Sequence, residues 1–565
     1  MILIYYFTSL LIFFSIIGYG LILTKIINFN NLNYNFGLLG LLGLFFLSII
    51  SSYTHFITSH NYYHNILIII IGLIFIFFYS KKNYVEYKYL IVVFSLLFLA
   101  FIISKTNEDY PYYHLPNSLQ FAQQKLQFGL GNLNHGFKHI SSLFMLMSLN
   151  YLPVFEHYFF NLTNFLFLVF FVLFILKEIY FSSKKNLNFS QILLSFFLVL
   201  ILAKFSRIAE YGTDIVGQIL VLMFLFYIFE LIFNNSLDYK KKILYFKLSI
   251  IFIIFAISTK FILAIYSLIF LLMIFLVKEK KKILSEIFKL KYFILILLPI
   301  IFLFFFNFAL TGCLIYPIEK TCFTETFNWS LSSEVVNYLN LHYEVWSKGG
   351  KGPNFAVDDQ AIYVKSFNWV SNWISVYFFN KFLDYIVVIF SIIFVFSCFF
   401  IKEIFTIKKF KQKIKLNFIL FYFFLLIIFI LWFYNFPTLR YAGYIIVYLI
   451  IIFPYIIFLE KRVDLKRKNN LKKISIIFLI SYSIFFVKNS NRIYNELNIP
   501  YNNHHNFKNF PFYWVEDIEY EKVSIDGFIL YKTNGRCWDV PSTCIRGIGN
   551  LKVSKKNGYK FYSQK

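Results

Sequence analysis

Long apolar blocks alternate with short polar connections along most of the chain. Each block is long enough, or nearly so, to cross a hydrocarbon core of about 30 Å. The fourteen blocks lie at 2–24, 37–56, 65–80, 88–104, 158–176, 189–205, 214–234, 243–259, 261–277, 292–311, 382–401, 416–434, 441–459 and 474–488. The pattern therefore predicts an all-α polytopic membrane protein with about fourteen transmembrane helices.

Positive charge in the short connections predicts the orientation of these helices. Segments 278–291, 402–415 and 460–473 together carry 19 Lys or Arg against 5 acids. Such connections face the cytoplasm because Lys and Arg resist translocation. Simple alternation then places both termini outside the cytoplasm. Three long polar segments fall on the same outer side: the first polar segment (105–157), the second polar segment (312–380) and the C-terminal region (489–565).

Composition excludes an ordinary soluble protein. Hydrophobic residues make up 59% of the 565 positions and charged residues only 15%, against about 45–50% and about 25% in soluble domains. The net charge of +26 would otherwise indicate nucleic acid. More than half of that excess lies in the three basic connections, so it predicts orientation and contact with membrane lipids, and no nucleic-acid partner.

The three polar segments also carry local structural signals. We interpret 141–157 as an interfacial or re-entrant helix, and 117–128 as an amphipathic helix on the outer surface. Asn557-Gly558, between two strand-like runs, predicts a two-residue β-hairpin. The chain is therefore expected to comprise a transmembrane domain (1–488) followed by a small β-containing appendage outside the membrane (489–565).

Four of the five cysteines form two close pairs in these segments, Cys313 with Cys322 and Cys537 with Cys544, while Cys398 lies alone in an apolar block. Paired cysteines on the outer side are typical of disulfides in an oxidising compartment. Zinc binding is the alternative, although neither pair is a CxxC. We predict two disulfides.

The densest group of ionisable residues follows the fourth apolar block. Glu108, Asp109 and His114 lie within seven residues, and Pro111 and Pro116 restrict the backbone around them. A partly desolvated carboxylate at the membrane boundary can act as a general base on a hydroxyl group. The alternative is a solvated loop next to a helix cap.

Further charges are predicted at the outer ends of later helices. These are Arg207, Glu210, Asp214, Lys260 and Arg440. Arginine suits bidentate contact with phosphate, and lysine serves as a point charge. The alternatives are that Asp214 caps a helix, that Arg207 only pairs with Glu210, and that the other cations are snorkelling residues. Acids on early loops and cations on later ones predict a site for an anionic, lipid-linked substrate.

With these motifs, the chain resembles the GT-C superfamily of integral-membrane glycosyltransferases. The Glu108-Asp109 pair resembles the acidic motif in the first large loop of that superfamily. Gly-Cys-Leu-Ile-Tyr-Pro at 312–317 is similar to a Gly-Asn-Pro-Leu-Tyr-Pro type of sequence in many bacterial members. The runs at 109–116 and 537–544 look like those of a group of largely uncharacterised bacterial membrane proteins.

The resemblance implies an inverting transfer of a sugar from a polyprenyl-phosphate donor to a glycan or lipid acceptor. The reaction would take place on the outer face of a bacterial cytoplasmic membrane. Asp109, or Glu108, would be the catalytic base, and Arg440, Lys260 or Arg207 would bind the donor phosphate. His114, Tyr113, Glu210 and Asp214 would orient or bind the acceptor. A divalent cation, Mg²⁺ or Mn²⁺, shared by Asp109 with Glu210 and Asp214, is a further possibility.

Two features carry secondary expectations. The second polar segment is expected to form a lid with a sugar-binding platform, unless its tryptophans only anchor it at the membrane surface; they are Trp329, Trp346, Trp369 and Trp373. A cluster of His55, His60 and His64 admits metal chemistry, but a turn between two helices explains it better. The alternative functions are a flippase or transporter, and a polymerase or ligase, of lipid-linked oligosaccharides.

Overall fold

The computed structural model describes most of the chain. The described residues are 1–29, 35–80, 84–181, 189–234, 237–276, 280–324, 326–352, 355–405, 416–462, 467–498 and 510–564. Most of the predicted basic connection 402–415, and parts of 278–291 and 460–473, lie outside the described residues.

Helices dominate the described chain. The α-helices are α1 (Ile2–Ile26), α2 (Phe36–Thr54), α3 (Tyr62–Ser80), α4 (Tyr84–Leu97), α5 (Leu115–Gln123), α6 (Ser142–Ser148), α7 (Leu162–Tyr180), α8 (Phe189–Lys204), α9 (Gly212–Phe233), α10 (Tyr239–Thr259), α11 (Ile269–Leu276), α12 (Lys280–Ser285), α13 (Leu290–Thr311), α14 (Ser333–Ser347), α15 (Gln360–Val364), α16 (Val370–Trp373), α17 (Leu383–Phe399), α18 (Ile401–Phe405), α19 (Leu416–Asn435), α20 (Tyr444–Arg462) and α21 (Arg467–Asn498). Wider π-helical turns lie at Tyr110–His114, Ile374–Phe382 and Leu439–Gly443.

Strands are short and concentrated in the C-terminal region. They are β1 (Lys351–Gly352), β2 (Phe355–Ala356), β3 (Glu521–Ile525), β4 (Phe528–Lys532), β5 (Cys544–Ile545), β6 (Lys552–Lys556) and β7 (Tyr559–Ser563). Strands β3 and β4 pair antiparallel, and β5 joins β4 in parallel. Strands β6 and β7 form the hairpin predicted at Asn557-Gly558, where both residues have positive φ.

Ten helical stretches of the described chain are long and apolar enough to cross a membrane, so the chain is a multi-pass membrane protein. They are Ile2–Ile26, Phe36–Thr54, His157–Tyr180, Ile208–Phe233, Tyr239–Thr259, Leu290–Thr311, Val370–Phe399, Leu416–Asn435, Leu439–Glu460 and Asn470–Asn498. The last of these continues beyond the predicted domain boundary at 488.

The other four predicted blocks correspond to shorter apolar helices. These are Tyr62–Phe78, Tyr87–Ala100, Phe189–Lys204 and Phe261–Leu276. Two of them are irregular, because Phe98–Ala100 and Phe261–Leu268 form tighter 3₁₀ turns in place of α-helix. By length and composition the described chain therefore has ten candidate spans, and the predicted number of fourteen is not reached.

The centre of the bundle is formed by α7 and α9. In the most apolar window of each span, 100% of the residues around α9 and 94% of those around α7 are buried by other helices. Helices α1 and α3 approach so closely that a Cβ built on Gly18 would lie 1.9 Å from the carbonyl oxygen of Gly72. Small residues at such contacts let helix backbones pack directly inside a membrane. Because other helices surround α9 completely, its packing fixes the position of the residues at its N-terminal end.

The three polar segments contact one another at one end of the bundle. The Phe128 amide donates to the Lys560 carbonyl (2.9 Å), and the Asn132 side-chain amide donates to the Trp329 carbonyl (2.7 Å). Both predicted disulfides are present, Cys313–Cys322 and Cys537–Cys544. Segments predicted to share the outer side therefore form one continuous structure.

The predicted surface helix at 117–128 is not on the surface. Helix α5 ends at Gln123, and residues Leu115–Ala122 are all buried. Its polar side chains have internal partners: the Asn117 amide donates to the carbonyls of Tyr113 (2.7 Å) and Gly136 (3.0 Å), and the Gln120 amide donates to Gln127 (3.0 Å). The prediction was wrong because the amphipathic pattern did not reveal that α6 and neighbouring turns of the first polar segment pack on this helix.

Candidate functional site

Asp109 lies immediately before the π-helical turn Tyr110–His114. Its backbone carbonyl accepts from the amides of Tyr112 and Tyr113, both at 3.1 Å. Pro111, at the start of the turn, has no amide proton to satisfy. The turn runs directly into α5, so the buried α5 fixes the position of the Asp109 carboxylate.

Arg440 lies in the irregular turn Leu439–Gly443, between α19 and α20. Within that turn Tyr441 and Ala442 depart from helical geometry, and Ala442 has φ of 68°. Buried side chains hold the strained backbone: the Trp432 indole donates to the Thr438 carbonyl (3.1 Å), and the Tyr266 hydroxyl donates to the Ala442 carbonyl (2.6 Å). Backbone strain of this kind is often found at functional sites, and here it positions one arginine.

Two further charges come from the central helices. Asp214 lies in the first turn of α9, and Lys260 is the residue that follows α10. The Asp214 side chain does not cap its own helix, so the capping alternative does not apply. Helices α9 and α10 pack side by side in the bundle core, and this packing brings the two side chains together.

The four side chains form a single network, called here the four-charge cluster (Asp109, Asp214, Lys260 and Arg440). Arg440 bridges both acids: its Nε donates to Asp214 Oδ2 (2.6 Å) and its Nη2 donates to Asp109 Oδ2 (2.5 Å). Lys260 pairs with Asp214 Oδ1 and reaches the Arg440 carbonyl at 3.4 Å. Two cations therefore balance two carboxylates.

The cluster has an inner and an outer part. The Asp214 side chain is only 3% exposed and that of Lys260 19%, whereas those of Arg440 and Asp109 are 31% and 33% exposed. In the inner pair, Asp214 is almost completely shielded from water and Lys260 is mostly shielded. The outer pair, Asp109 with Arg440, is the part that a substrate can reach.

Electrostatics keep Asp109 ionised while Arg440 is its partner. Burial alone would raise the pKa of the Asp109 carboxyl, but the charge and hydrogen bond of Arg440 outweigh burial and hold that pKa below its usual value. In this arrangement Asp109 is a weak base. It would become a stronger base if another anion took its place on Arg440.

Aromatic and imidazole side chains surround the outer part of the cluster. The Arg440 guanidinium lies 6.0 Å from the centre of the Trp346 ring, and the Lys260 ammonium lies 4.6 Å from the Tyr441 ring. The Tyr343 hydroxyl is 3.3 Å from Nε2 of both His135 and His139, and 3.2 Å from the Tyr316 hydroxyl. These contacts link the first and second polar segments above the charges.

His114 is buried beside the cluster without a hydrogen-bonding partner for its Nε2 in the described chain. Its ring fits against Gly212, which has φ of 49° and where a Cβ would lie 2.2 Å from the imidazole. Burial lowers the pKa of His114 to about 4, and the charges of Asp109 and Asp214 oppose this shift only in part. His114 is therefore neutral near pH 7, and its unpartnered Nε2 is buried.

The low pKa of His114 predicts acid sensitivity. The folded chain binds this proton less readily than the unfolded chain, whose His pKa is about 6.5. The stabilising contribution is therefore complete above about pH 6.5 and is lost as the pH falls towards about 4. We expect the apparent melting temperature of the detergent-solubilised protein to fall by a few degrees over this window. His114→Gln should reduce that fall, and an unchanged pH dependence would contradict this assignment.

Other predicted site residues lie elsewhere. Glu108 points outward and is exposed. Arg207 pairs with Glu210 (2.8 Å), as its alternative interpretation held, and no described contact joins either of them to the four-charge cluster. Tyr113 packs on His114, with ring centres 4.5 Å apart, and so lies at the edge of the site.

Of the four tryptophans expected in a lid, only Trp346 borders the cluster. Trp369 and Trp373 are buried in helix packing, and Trp329 packs against Phe128 and Phe561. Sequence reasoning did not single out His139 or Tyr343. Neither stands in a recognisable motif, and only the pairing of the two polar segments brings them to the site.

A shared divalent cation does not fit these residues. Across the described ranges, no group of three or more His, Cys, Asp and Glu side chains could hold a metal ion. Asp109 and Asp214 both face Arg440, while Glu210 is engaged by Arg207. His55, His60 and His64 do stack together, but the hydrogen bonds of His60 and His64 go to other groups. These are Ser148 of α6, Asn65 of α3, and Thr54 and the Ser51 carbonyl of α2.

The candidate spans and the four-charge cluster together define a multi-pass membrane protein with a charged site at one end of its helix bundle. The chain belongs to the family described as "Domain of unknown function (DUF8201)", whose model matches residues 1–447 and so includes all four charges. No curated protein and no solved structure matches the chain.

Proposed function

We propose that the protein is a GT-C-type membrane glycosyltransferase that transfers a sugar from a polyprenyl-phosphate donor to a glycan or lipid acceptor. The observation that carries this proposal is the partly exposed ion pair between Asp109 and Arg440, in which an incoming anion could replace Asp109. A candidate base and a candidate phosphate ligand hold each other at the accessible edge of a buried charge network. On this proposal the site faces the outside of a bacterial cytoplasmic membrane, and both termini lie on that side.

Arg440 is suited to receive the donor phosphate. Its Nε and Nη2 engage the two carboxylates, and its Nη1 makes no hydrogen bond in the described part of the chain. Lys260 supplies a second positive charge on the same side. Guanidinium and ammonium groups together bind phosphate strongly where water is partly excluded.

Arrival of the donor would also activate the base. A phosphate that takes over Arg440 Nη2 removes the interaction that lowers the pKa of Asp109. The freed carboxylate then accepts the proton of an acceptor hydroxyl. Coupling of donor binding to base activation would keep Asp109 a weak base until the donor is bound.

The chemical step is then a single displacement. The acceptor oxygen forms a bond to the anomeric carbon, the bond from that carbon to the phosphate oxygen breaks, and the proton passes to Asp109. The configuration at the anomeric carbon inverts. Arg440 and Lys260 stabilise the negative charge that develops on the departing polyprenyl phosphate.

A small cavity lies close to Lys260 in the sequence. It has a volume of about 20 Å³ and is lined by hydroxyl groups, including Ser52 and Ser258, and by apolar side chains, including Phe302 and Phe306 of α13. Ser258 is two residues from Lys260. A cavity of this size holds about one water molecule, so it does not itself accommodate the lipid chain of the donor.

Binding of the lipid phosphate tests this proposal before any acceptor is identified. Polyprenyl phosphate should bind to the purified protein in nanodiscs, and Arg440→Lys should weaken binding by roughly 10-fold because the bidentate fork is lost. Polyprenol, which has the same chain without phosphate, should be unaffected by the substitution and reports that the lipid site is intact.

The matched control is Arg207→Lys, which changes the arginine paired with Glu210 outside the cluster. Equal weakening by both variants, or tight binding of polyprenol, would count against a phosphate site at Arg440. A flippase or a ligase would also bind the lipid, so these alternatives are separated by product analysis, described in the Discussion.

A further inference from the structure

Two arginines of the C-terminal region stack on a tyrosine of the acidic motif. The guanidinium carbons of Arg536 and Arg546 lie 5.3 and 5.1 Å from the centre of the Tyr112 ring. Arg536 Nε also donates to the Tyr112 hydroxyl at 3.2 Å. The Tyr112 amide donates to the Asp109 carbonyl. The two arginines therefore pack on a residue that lies one turn after the proposed base.

The C-terminal region is fixed firmly in this position. The amides of Cys537 and Trp538 both donate to the Pro111 carbonyl, at 3.3 and 3.2 Å. The Asn134 amide contacts Cys537 Sγ at 3.0 Å. The loop closed by the Cys537–Cys544 disulfide therefore rests on the back of the acidic motif, and the two arginines are presented at a defined place.

The positive charge here is only partly balanced by carboxylates, since Glu516 and Glu108 both act on Arg536. Arg536 lies 3.7 Å from Glu516, but Lys138 and Arg546 make no ion pair or hydrogen bond within the described residues. Lys138 is partly buried, and burial lowers its pKa to about 8. Both cations also act on His135, whose pKa they help to lower, so the group lies close together.

These three cations, Lys138, Arg536 and Arg546 around Tyr112, are called here the cationic rim. Arg536 and Arg546 are exposed to solvent, whereas Lys138 is half-buried. Holding Lys138 away from water without a partner costs free energy, and part of that cost is recovered when an anion binds. In the four-charge cluster, by contrast, each cation has an acid.

We propose that the cationic rim binds an anionic group, carboxylate or phosphate, on a saccharide acceptor. The proposal rests on the proposed function, because it assigns the rim to the acceptor of that same reaction. Acidic saccharides would then be preferred to neutral ones. Two of the three cations lie beyond residues 1–447, the part matched by the family model, so this preference would belong to the C-terminal region of this chain.

Binding of defined saccharides tests the proposal. The probes are a galacturonate trimer, glucose 6-phosphate and the neutral maltotriose, titrated calorimetrically into the full-length protein in neutral phosphatidylcholine nanodiscs. The two acidic probes should bind and maltotriose should not. Arg546→Gln and Lys138→Gln should each weaken binding by about 10-fold, as expected for loss of a charged contact. The matched control Lys552→Gln removes an exposed cation of β6 and should bind as wild type.

Two outcomes would overturn the proposal: maltotriose binding as well as the acidic probes, or the double variant Arg546→Gln/Lys138→Gln binding them as well as wild type. The Asp109→Asn variant separates this inference from the proposed function. It should bind the acidic probes normally while failing to transfer sugar. A wild-type protein that binds the acidic probes through the cationic rim and yet shows no transferase activity would support the rim as an anion-binding site and would contradict the proposed function.

Discussion

Replacing Asp109 with Asn is expected to reduce sugar transfer by about 10²–10⁴-fold, the usual contribution of a general base. Replacing its neighbour, Glu108→Gln, should leave transfer near the wild-type rate, because Glu108 points into solvent and makes no contact with Arg440. The measurement is sugar incorporation into acceptor by membranes that contain equal amounts of each folded variant.

The same pair of variants has a second readout. Asp109→Asn removes the carboxylate that competes for Arg440, so it should bind polyprenyl phosphate at least as tightly as wild type. Loss of transfer with retained donor binding identifies a defect in chemistry. Unchanged transfer by Asp109→Asn, or a loss in Glu108→Gln of the same size, would contradict the assignment of the base.

Replacing Asp214 with Asn is expected to destabilise the protein strongly. The carboxylate is buried between Lys260 and Arg440, and its loss leaves two cations facing each other. Removing one partner of a buried ion pair costs about 3–5 kcal/mol. The apparent melting temperature and the yield of folded protein should both fall.

A second substitution separates this charge effect from a packing effect. Combining Asp214→Asn with Lys260→Met removes the cation left without a carboxylate, since Arg440 still pairs with Asp109, and should restore most of the lost stability. Glu210→Gln serves as the matched control: its pair with Arg207 is partly exposed, and such pairs contribute at most about 1 kcal/mol. If the double variant is no more stable than Asp214→Asn, the charge interaction between Asp214 and Lys260 does not stabilise the protein.

The sequence was informative about the charges and uninformative about their pairing. Asp109, Lys260 and Arg440 stood out because charges near the bilayer need a partner or a role. Asp109 and Arg440 are separated by 331 positions, and only the packing of α9, α10 and the turn before α20 brings them within hydrogen-bonding distance. Short-range signals, by contrast, were reliable: the Asn557-Gly558 hairpin and both disulfides are present.

Errors arose where tertiary contacts decide the outcome. The polar face of α5 suggested a surface position, but the helix packs against α6. At its end the Ser542 amide of the C-terminal region donates to the Gln123 side chain (2.9 Å). Trp369 and Trp373 suggested a sugar platform, but helix packing buries them. Hydrophobic periodicity reports how much surface an element must bury, and it does not report which partner buries it.

The most direct test of the central claim follows both products of one reaction. Purified protein in proteoliposomes is given a polyprenyl-phosphate donor labelled in its sugar, together with a glycan and lipid extract as acceptor. The account predicts labelled sugar on the acceptor with inverted anomeric configuration, an equal amount of released polyprenyl phosphate, and neither product with Asp109→Asn. Label that crosses the membrane still attached to its lipid, or transfer with retained configuration, would contradict it.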